Sequence, residues 1–539
     1  MKISGKLIDI HHRIIYPAML NFNNKVITKI TKEAAGSEKY IIPGLIDSHI
    51  HVESSMTTPG SFASAAVSHG TIGVVSDPHE IANVLGIKGI KFMIADSEKV
   101  PFKFWFGAPS CVPATQFESS GAVLGQREIE RLLKMKNIKY LAEMMNYPGV
   151  ISNDQIVMGK INVAKRVGKP IDGHAPGLSG EMLKKYISAG ISTDHECSTM
   201  GEAKEKISLG MKILIREGSA ARNLNSLKEL FITNPEMLML CSDDLHPEMI
   251  LKRHINKMVA QLVSEGYDLF DVIRSCTINP VVHYNLEAGL LRPGEPADFI
   301  IVDDPRKMNV SETWINGEKV YDCGSVLFNY PKADPVNRFN CSPINQEEIK
   351  IARKGNKIRV IEAFDGELLT KEILIDTVSG EYVETDPDSD FLKIVVKDRY
   401  IDSPPATGFI KGFRLRYGAF ASSIAHDSHN IICVGTNDND IIKAVNEIVK
   451  LKGGLAISSG GRISSLQLNI AGIISDKSVD KVAADYELLS NIIKSMGCTL
   501  SAPFMTLSFM ALLVIPELKL SDRGLFDGKK FCHVPLFVE

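Results

Sequence analysis

Pro43-Gly44-Leu45-Ile46-Asp47-Ser48-His49-Ile50-His51 is the stretch on which the fold reading turns. An apolar approach leads into a strand end that carries His-x-His. Successive side chains of a strand alternate between its faces, so His49 and His51 project together. Two imidazoles side by side on an interior face are costly unless something binds them, and a divalent metal is the usual reason. Brief apolar runs ending in a polar, potentially ligating residue recur downstream: Gly73-Val74-Val75-Ser76-Asp77, Tyr140-Leu141-Ala142-Glu143, Pro170-Ile171-Asp172-Gly173-His174, Ile191-Ser192-Thr193-Asp194-His195 and Met239-Leu240-Cys241-Ser242-Asp243. Repeated strand–helix units over about 240 residues predict an α/β fold with a (β/α)8 TIM-like barrel, whose chemistry sits at the carboxyl ends of the strands.

The flanks read differently. Lys6-Leu7-Ile8-Asp9-Ile10 and Lys25-Val26-Ile27-Thr28-Lys29-Ile30 are short strands. The pattern returns in Ala297–Val302 and in Glu312–Val320, where Asn316-Gly317 is a two-residue hairpin signal. These segments predict a composite small β-sandwich domain from residues 1–42 and 281–340, enclosing a barrel of 43–280. Residues 341–539 read as a C-terminal mixed α/β domain. It includes an amphipathic helix, Ile441–Leu451, with Thr436 or Asn437 as its N-cap. Gly453-Gly454 and Gly460-Gly461 lack the context of a phosphate-binding loop and read as hairpin turns.

Composition bounds the function. The 539-residue chain is 44% hydrophobic and 23% charged with a net charge of -3, which is too long for one core and disfavours a nucleic-acid partner. Nine scattered cysteines with no Cys-x-x-Cys pair fit reduced thiols in a cytoplasmic protein. The run Phe504–Ile515, about 12 residues, is too short to span a bilayer.

The remaining ligand candidates each end a strand. Glu143 offers an acidic oxygen able to bridge two cations. His174 and His195 offer neutral nitrogens, and Asp243 the last carboxylate, with Asp244 as its competitor. Asp172 and Asp194 are candidates to hold the ligating imidazoles in place. Four histidines and two carboxylates fit a two-metal site for Fe, Mn or Zn better than a closed structural zinc site. Water in such a site loses a proton near neutral pH, and Asp243 can take that proton and pass it to a leaving nitrogen. His79 and Glu80 read as lining the substrate pocket or holding another ion, against the plainer alternative of a helix-leading loop. His426 and His429 flank Asp427 on a turn that can reach the barrel mouth, against a merely polar loop.

The order HxH, strand-end Glu, His, His and Asp resembles the amidohydrolase superfamily. More narrowly, the chain resembles the bacterial and archaeal adenine deaminases. The segments are Pro-Gly-Leu-Ile-Asp-Ser-His-Ile-His-Val-Glu-Ser-Ser from 43, Ser-Asp-Pro-His-Glu-Ile-Ala-Asn-Val-Leu-Gly from 76, and Leu-Ala-Glu-Met-Met-Asn from 141. Asp-Gly-His-Ala-Pro from 172 and Ala-His-Asp-Ser-His-Asn from 425 complete the set. The first motif is shared by many amidohydrolases; those at 76–86 and 425–430 are the specific ones. The resemblance implies hydrolysis of adenine to hypoxanthine and ammonia in purine salvage, by a homo-oligomer (a dimer or larger) that uses Mn2+ or Fe2+, two per site, with Zn2+ possible. It implies His49, His51, Glu143, His174, His195 and Asp243 as metal ligands, and Asp243 and Glu143 as catalytic. Arg216 and Glu217, at the end of the seventh strand, are expected against the purine. The rival zinc deaminase pattern begins like His51-Val52-Glu53, but its Pro-Cys-x-x-Cys half is missing. A barrel that had lost its activity should have lost ligands, and all six stand. A different aminopurine or cyclic amide remains the alternative substrate.

Overall fold

The structure is a computed structural model that describes residues 1–34, 38–377 and 380–538. Eight short parallel strands close a barrel. In chain order they are β1 Leu45–Ile50, β2 Thr71–Ser76, β3 Lys103–Ala108, β4 Ile138–Met144, β5 Ile171–Gly173, β6 Thr193–Asp194, β7 Lys212–Arg216 and β8 Leu238–Cys241. Strands β1 to β5 form one ladder and β6 to β8 another. Backbone bonds join them: Ser192 donates to the Ile171 carbonyl (2.9 Å), and Asp243 donates to the His49 carbonyl (2.9 Å). The strands are buried almost throughout because side chains fill one face and helices cover the other. Helices such as Gln155–Arg166 and Met200–Ser208 pack outside them.

The two flanks do meet. Strands Lys2–Asp9, Ile14–Asn23, Val26–Lys32 and Tyr40–Pro43 share one eight-stranded sheet with strands from 299–326. Phe22 lies 5.6 Å from Phe299 and 5.5 Å from Trp314, although several strands separate them along the ladder. Strands stand roughly 4.8 Å apart, so a flat sheet could not bring these rings together. The sheet folds over, and its sandwich-like core lies between two parts of one ladder. The Asn316-Gly317 hairpin joins strands Val310–Ile315 and Glu318–Asp322. Strand Ile14–Asn23, not anticipated from the sequence, pairs along the whole of Lys2–Asp9.

A nine-stranded sheet organises the region beyond 350. Helix Asp438–Leu451 lies against it, capped by Asn437, whose side chain accepts the Asp440 N–H at 2.9 Å. Gly460-Gly461 is the expected hairpin, between Gly454–Ser459 and Arg462–Gln467. Gly453-Gly454 is not: it connects that helix to a strand, both glycines at positive φ and close to neighbouring backbone. The segment 425–430 links strands Ala419–Ser422 and Ile431–Gly435 and comes down onto the barrel mouth. Phe504–Ile515 is buried, in part as helix Pro503–Phe509, and no helix among the described residues is long and apolar enough to cross a membrane.

Candidate active site

Strand ends bring six side chains together. His49 and His51 end β1, with rings 4.9 Å apart. Glu143 is near the end of β4, His174 and His195 follow β5 and β6, and Asp243 follows β8. All six are less than a tenth exposed. Glu143 is central: one oxygen is 2.9 Å from His174 Nδ1 and 3.1 Å from His195 Nε2, the other 3.4 Å from His51 Nε2. Asp243 Oδ1 lies 3.3 Å from His51 Nε2 and 3.5 Å from His49 Nε2. Asp243 has a left-handed backbone (φ 57°), which costs a non-glycine residue about 1–2 kcal/mol. Backbone bonds to His49 and His51 hold it there.

These donors fit a divalent ion. His51 Nδ1 lies 3.1 Å from the Asp77 carbonyl, which can only accept. In the neutral ring Nδ1 therefore carries the proton, and the Nε2 lone pair faces carboxylate oxygens. That arrangement is repulsive until a cation lies between them. Both His49 nitrogens and His174 Nε2 are buried without a hydrogen-bond partner, an uncompensated cost that metal ligation removes.

The Amidohydrolase family model matches residues 40–320, and the Adenine deaminase C-terminal domain model matches residues 367–532. A curated adenine deaminase of Methanosarcina mazei is 50% identical over 552 residues, spanning 100% of both chains. One from Salinibacter ruber is 48% identical over 540 residues, with 100% of this chain and 99% of that one covered. Another, from a Sulfurovum species, is 50% identical over 532 residues and 98% of each chain. The chain belongs to the adenine deaminase family. Membership in this amidohydrolase family implies a divalent metal, which the donor set above accommodates.

Arg216 adds a buried charge partner. Its guanidinium donates to both Glu196 oxygens (2.6 and 2.9 Å) and to Asp243 Oδ2 (2.5 Å). Burial pushes the Asp243 carboxyl up, but Arg216, His49 and His51 outweigh it and hold it well below the usual carboxylate range. Glu196 is likewise lowered, chiefly by Arg216 against its own burial. Arg216 therefore borders the cavity as the partner of two carboxylates. Glu217, expected beside it, lies outside the cavity and pairs with Arg253 at 3.1 Å, because successive residues past the strand end diverge.

Asp172 and Asp194 act on backbone and neighbours, not on the ligating rings. Asp172 accepts the Tyr284 hydroxyl (2.8 Å). Asp194 accepts the Ala175 N–H (2.8 Å) and pairs with buried Lys206 (3.0 Å), fixing the loop that carries His174.

The roof comes from the C-terminal region. Leu368, His426, Asp427, Phe509, Leu512 and Val514 line the cavity opposite the strand ends. His79 and Glu80 open helix His79–Leu85 and border the same cavity. Glu80 is 2.6 Å from His426 Nδ1 and accepts a bond from His429 Nε2, so residues some 350 positions apart meet. Sequence reasoning gave no role to Glu196 or the apolar roof, and read Asp77 only as a strand-end, potentially ligating residue. Asp77 stood within a quoted motif and Glu196 beside His195, whereas nothing local marks Leu368 or Phe509 as facing a site.

Proposed function

We propose that the chain hydrolyses adenine to hypoxanthine and ammonia, in purine salvage. The observation that carries this is full-length identity of about half to adenine deaminases, joined to six buried donors with unpaired nitrogens at the barrel mouth. His49, His51, Glu143, His174, His195 and Asp243 would hold two divalent ions, Mn2+ or Fe2+, with Zn2+ as a substitute. Such ions, when bound, acidify water and polarise the electrophile.

The chain's own groups do the rest. Asp243, kept ionised by Arg216, accepts a proton from the attacking water on one side of the ring and delivers it to the departing amino nitrogen. Glu143 holds both ends of the ligand set together. His79, Glu80 and His426 border the pocket, with His429 behind Glu80, while Phe509, Leu512 and Val514 keep bulk water out. We assign residues 1–42 and 281–340 to the composite β domain, 43–280 to the barrel and 341–539 to the roof-bearing domain. A cytoplasmic homo-oligomer is the working assembly.

The test is ammonia release from a purine and cyclic-amide panel by protein reconstituted with Mn2+, Fe2+ or Zn2+. Adenine should react with at least one metal. If adenine is inert with all three while another substrate turns over, the assignment fails.

A further inference from the structure

The roof cluster carries more than pocket polarity. His79 Nδ1 lies 3.0 Å from Asp77 Oδ2, an acceptor, so in the neutral ring Nε2 bears the lone pair. That lone pair faces Glu80 Oε1 at 3.4 Å and Asp427 Oδ1 at 3.9 Å. Glu80 Oε1 is also 2.6 Å from His426 Nδ1, which is 3.7 Å from Asp427 Oδ1. These four atoms close a ring of edges 3.4, 2.6, 3.7 and 3.9 Å. Donors held about 2.1 Å from a tetrahedral ion stand about 3.4 Å apart.

The supporting shell is equally suggestive of a cation. A metal-binding imidazole commonly donates its other N–H to a carboxylate, as His79 can to Asp77. The second Glu80 oxygen is held by His429 Nε2, and His429 Nδ1 accepts the Ala425 N–H at 3.4 Å, so the Glu80 position is fixed from behind. Asp427 Oδ2 is buried with no hydrogen-bond partner. Among the described residues, no Lys or Arg makes an ion pair with Asp77, Glu80 or Asp427; their ion-pair partners are histidines. Buried carboxylates without a fixed cation are costly, and a divalent ion is the compact remedy.

We propose that His79, Glu80, His426 and Asp427 form an additional divalent-cation site beside the six-residue set, whose Glu143 lies 3.3 Å from the other ring nitrogen of His79. Two of its donors come from the barrel and two from the C-terminal region, so the ion fastens the roof onto the barrel mouth. Its N2O2 donor set suits Mn2+, Fe2+ or Zn2+.

The test is bound Mn2+ per chain, counted by atomic spectroscopy after equilibrium dialysis of metal-free full-length protein. His426→Phe, which can keep its stacking on Phe509 (5.2 Å), should bind one Mn2+ fewer than the parent. Asp427→Leu should lose the same ion. Because the readout is a difference of one, it stands whatever the barrel set contributes. Equal counts in the parent and both variants overturn the proposal. A chain carrying His49→Asn and His195→Asn, which cripples the barrel set, gives a second readout. It should still bind one Mn2+, removed by adding His426→Phe. A cooperatively folded chain of this kind that binds none overturns it as well.

Discussion

Replacing Arg216 by Met should damage the protein twice over, and the size of each effect follows from its contacts. The guanidinium is buried and makes three charge-assisted bonds, two to Glu196 and one to Asp243. Met keeps much of the volume but leaves two buried carboxylates facing each other. Breaking a buried pair by removing one partner costs about 3–5 kcal/mol, and the loss should appear in chemical unfolding of the metal-free protein. The second effect is on ionisation. Asp243 is depressed in the folded protein. Its contribution is therefore present above the ordinary carboxylate pKa and is lost as pH falls through the depressed value. Removing Arg216 moves that loss to higher pH. The acid limb of kcat/KM, measured against pH with metal saturating, should shift upward. Arg216→Lys, which keeps the charge but not the fork, should fall between the two. A destabilisation below about 1 kcal/mol together with an unmoved acid limb would refute the view that Arg216 holds Asp243 ionised.

Asp243→Asn should retain much of its metal yet lose turnover by about 10²–10⁴-fold, measured as ammonia release beside metal content; near-normal activity removes Asp243 as the proton carrier. Glu217→Gln should leave kcat/KM within about twofold, since Glu217 pairs with Arg253 away from the cavity, and a loss above tenfold would place it at the substrate after all. Lys519 is wholly buried, bonds the Leu368 and Phe509 carbonyls that carry two roof residues, and is pushed down to about 7 by burial. The unfolded chain then binds the extra proton between about pH 7 and the ordinary lysine value, so parent stability should rise with pH across that window. Lys519→Met should flatten the rise; an equal gain in unfolding free energy from pH 7 to 9 in parent and variant, measured by urea titration, would contradict it.

Much of the barrel was legible because its signals are local. Parallel strands covered on both faces read as short apolar runs, and a ligating residue at each run's end marks the mouth of the barrel. His49, His51, Glu143, His174, His195 and Asp243 could thus be read one strand at a time. The hairpin at Asn316-Gly317 and the Asn437 cap were legible for the same reason, each being set by neighbours in the chain. Strand Ile14–Asn23 was missed because its alternation is interrupted by Pro17 and polar neighbours, and it is stabilised by pairing, not by propensity.

The His49-x-His51 pair and its companions determined, from sequence alone, that this chain builds a buried donor cluster for metal-assisted hydrolysis. Only the tertiary structure decided what surrounds that cluster. Arg216 and Glu217 are adjacent in sequence, yet one clamps Asp243 and the other turns to Arg253. Glu80 meets His426 and His429 across some 350 residues, and Leu368 and Phe509 become a roof. Such partners are selected by long-range packing and charge compensation in a dry interior. Those forces act between residues with no fixed spacing along the chain.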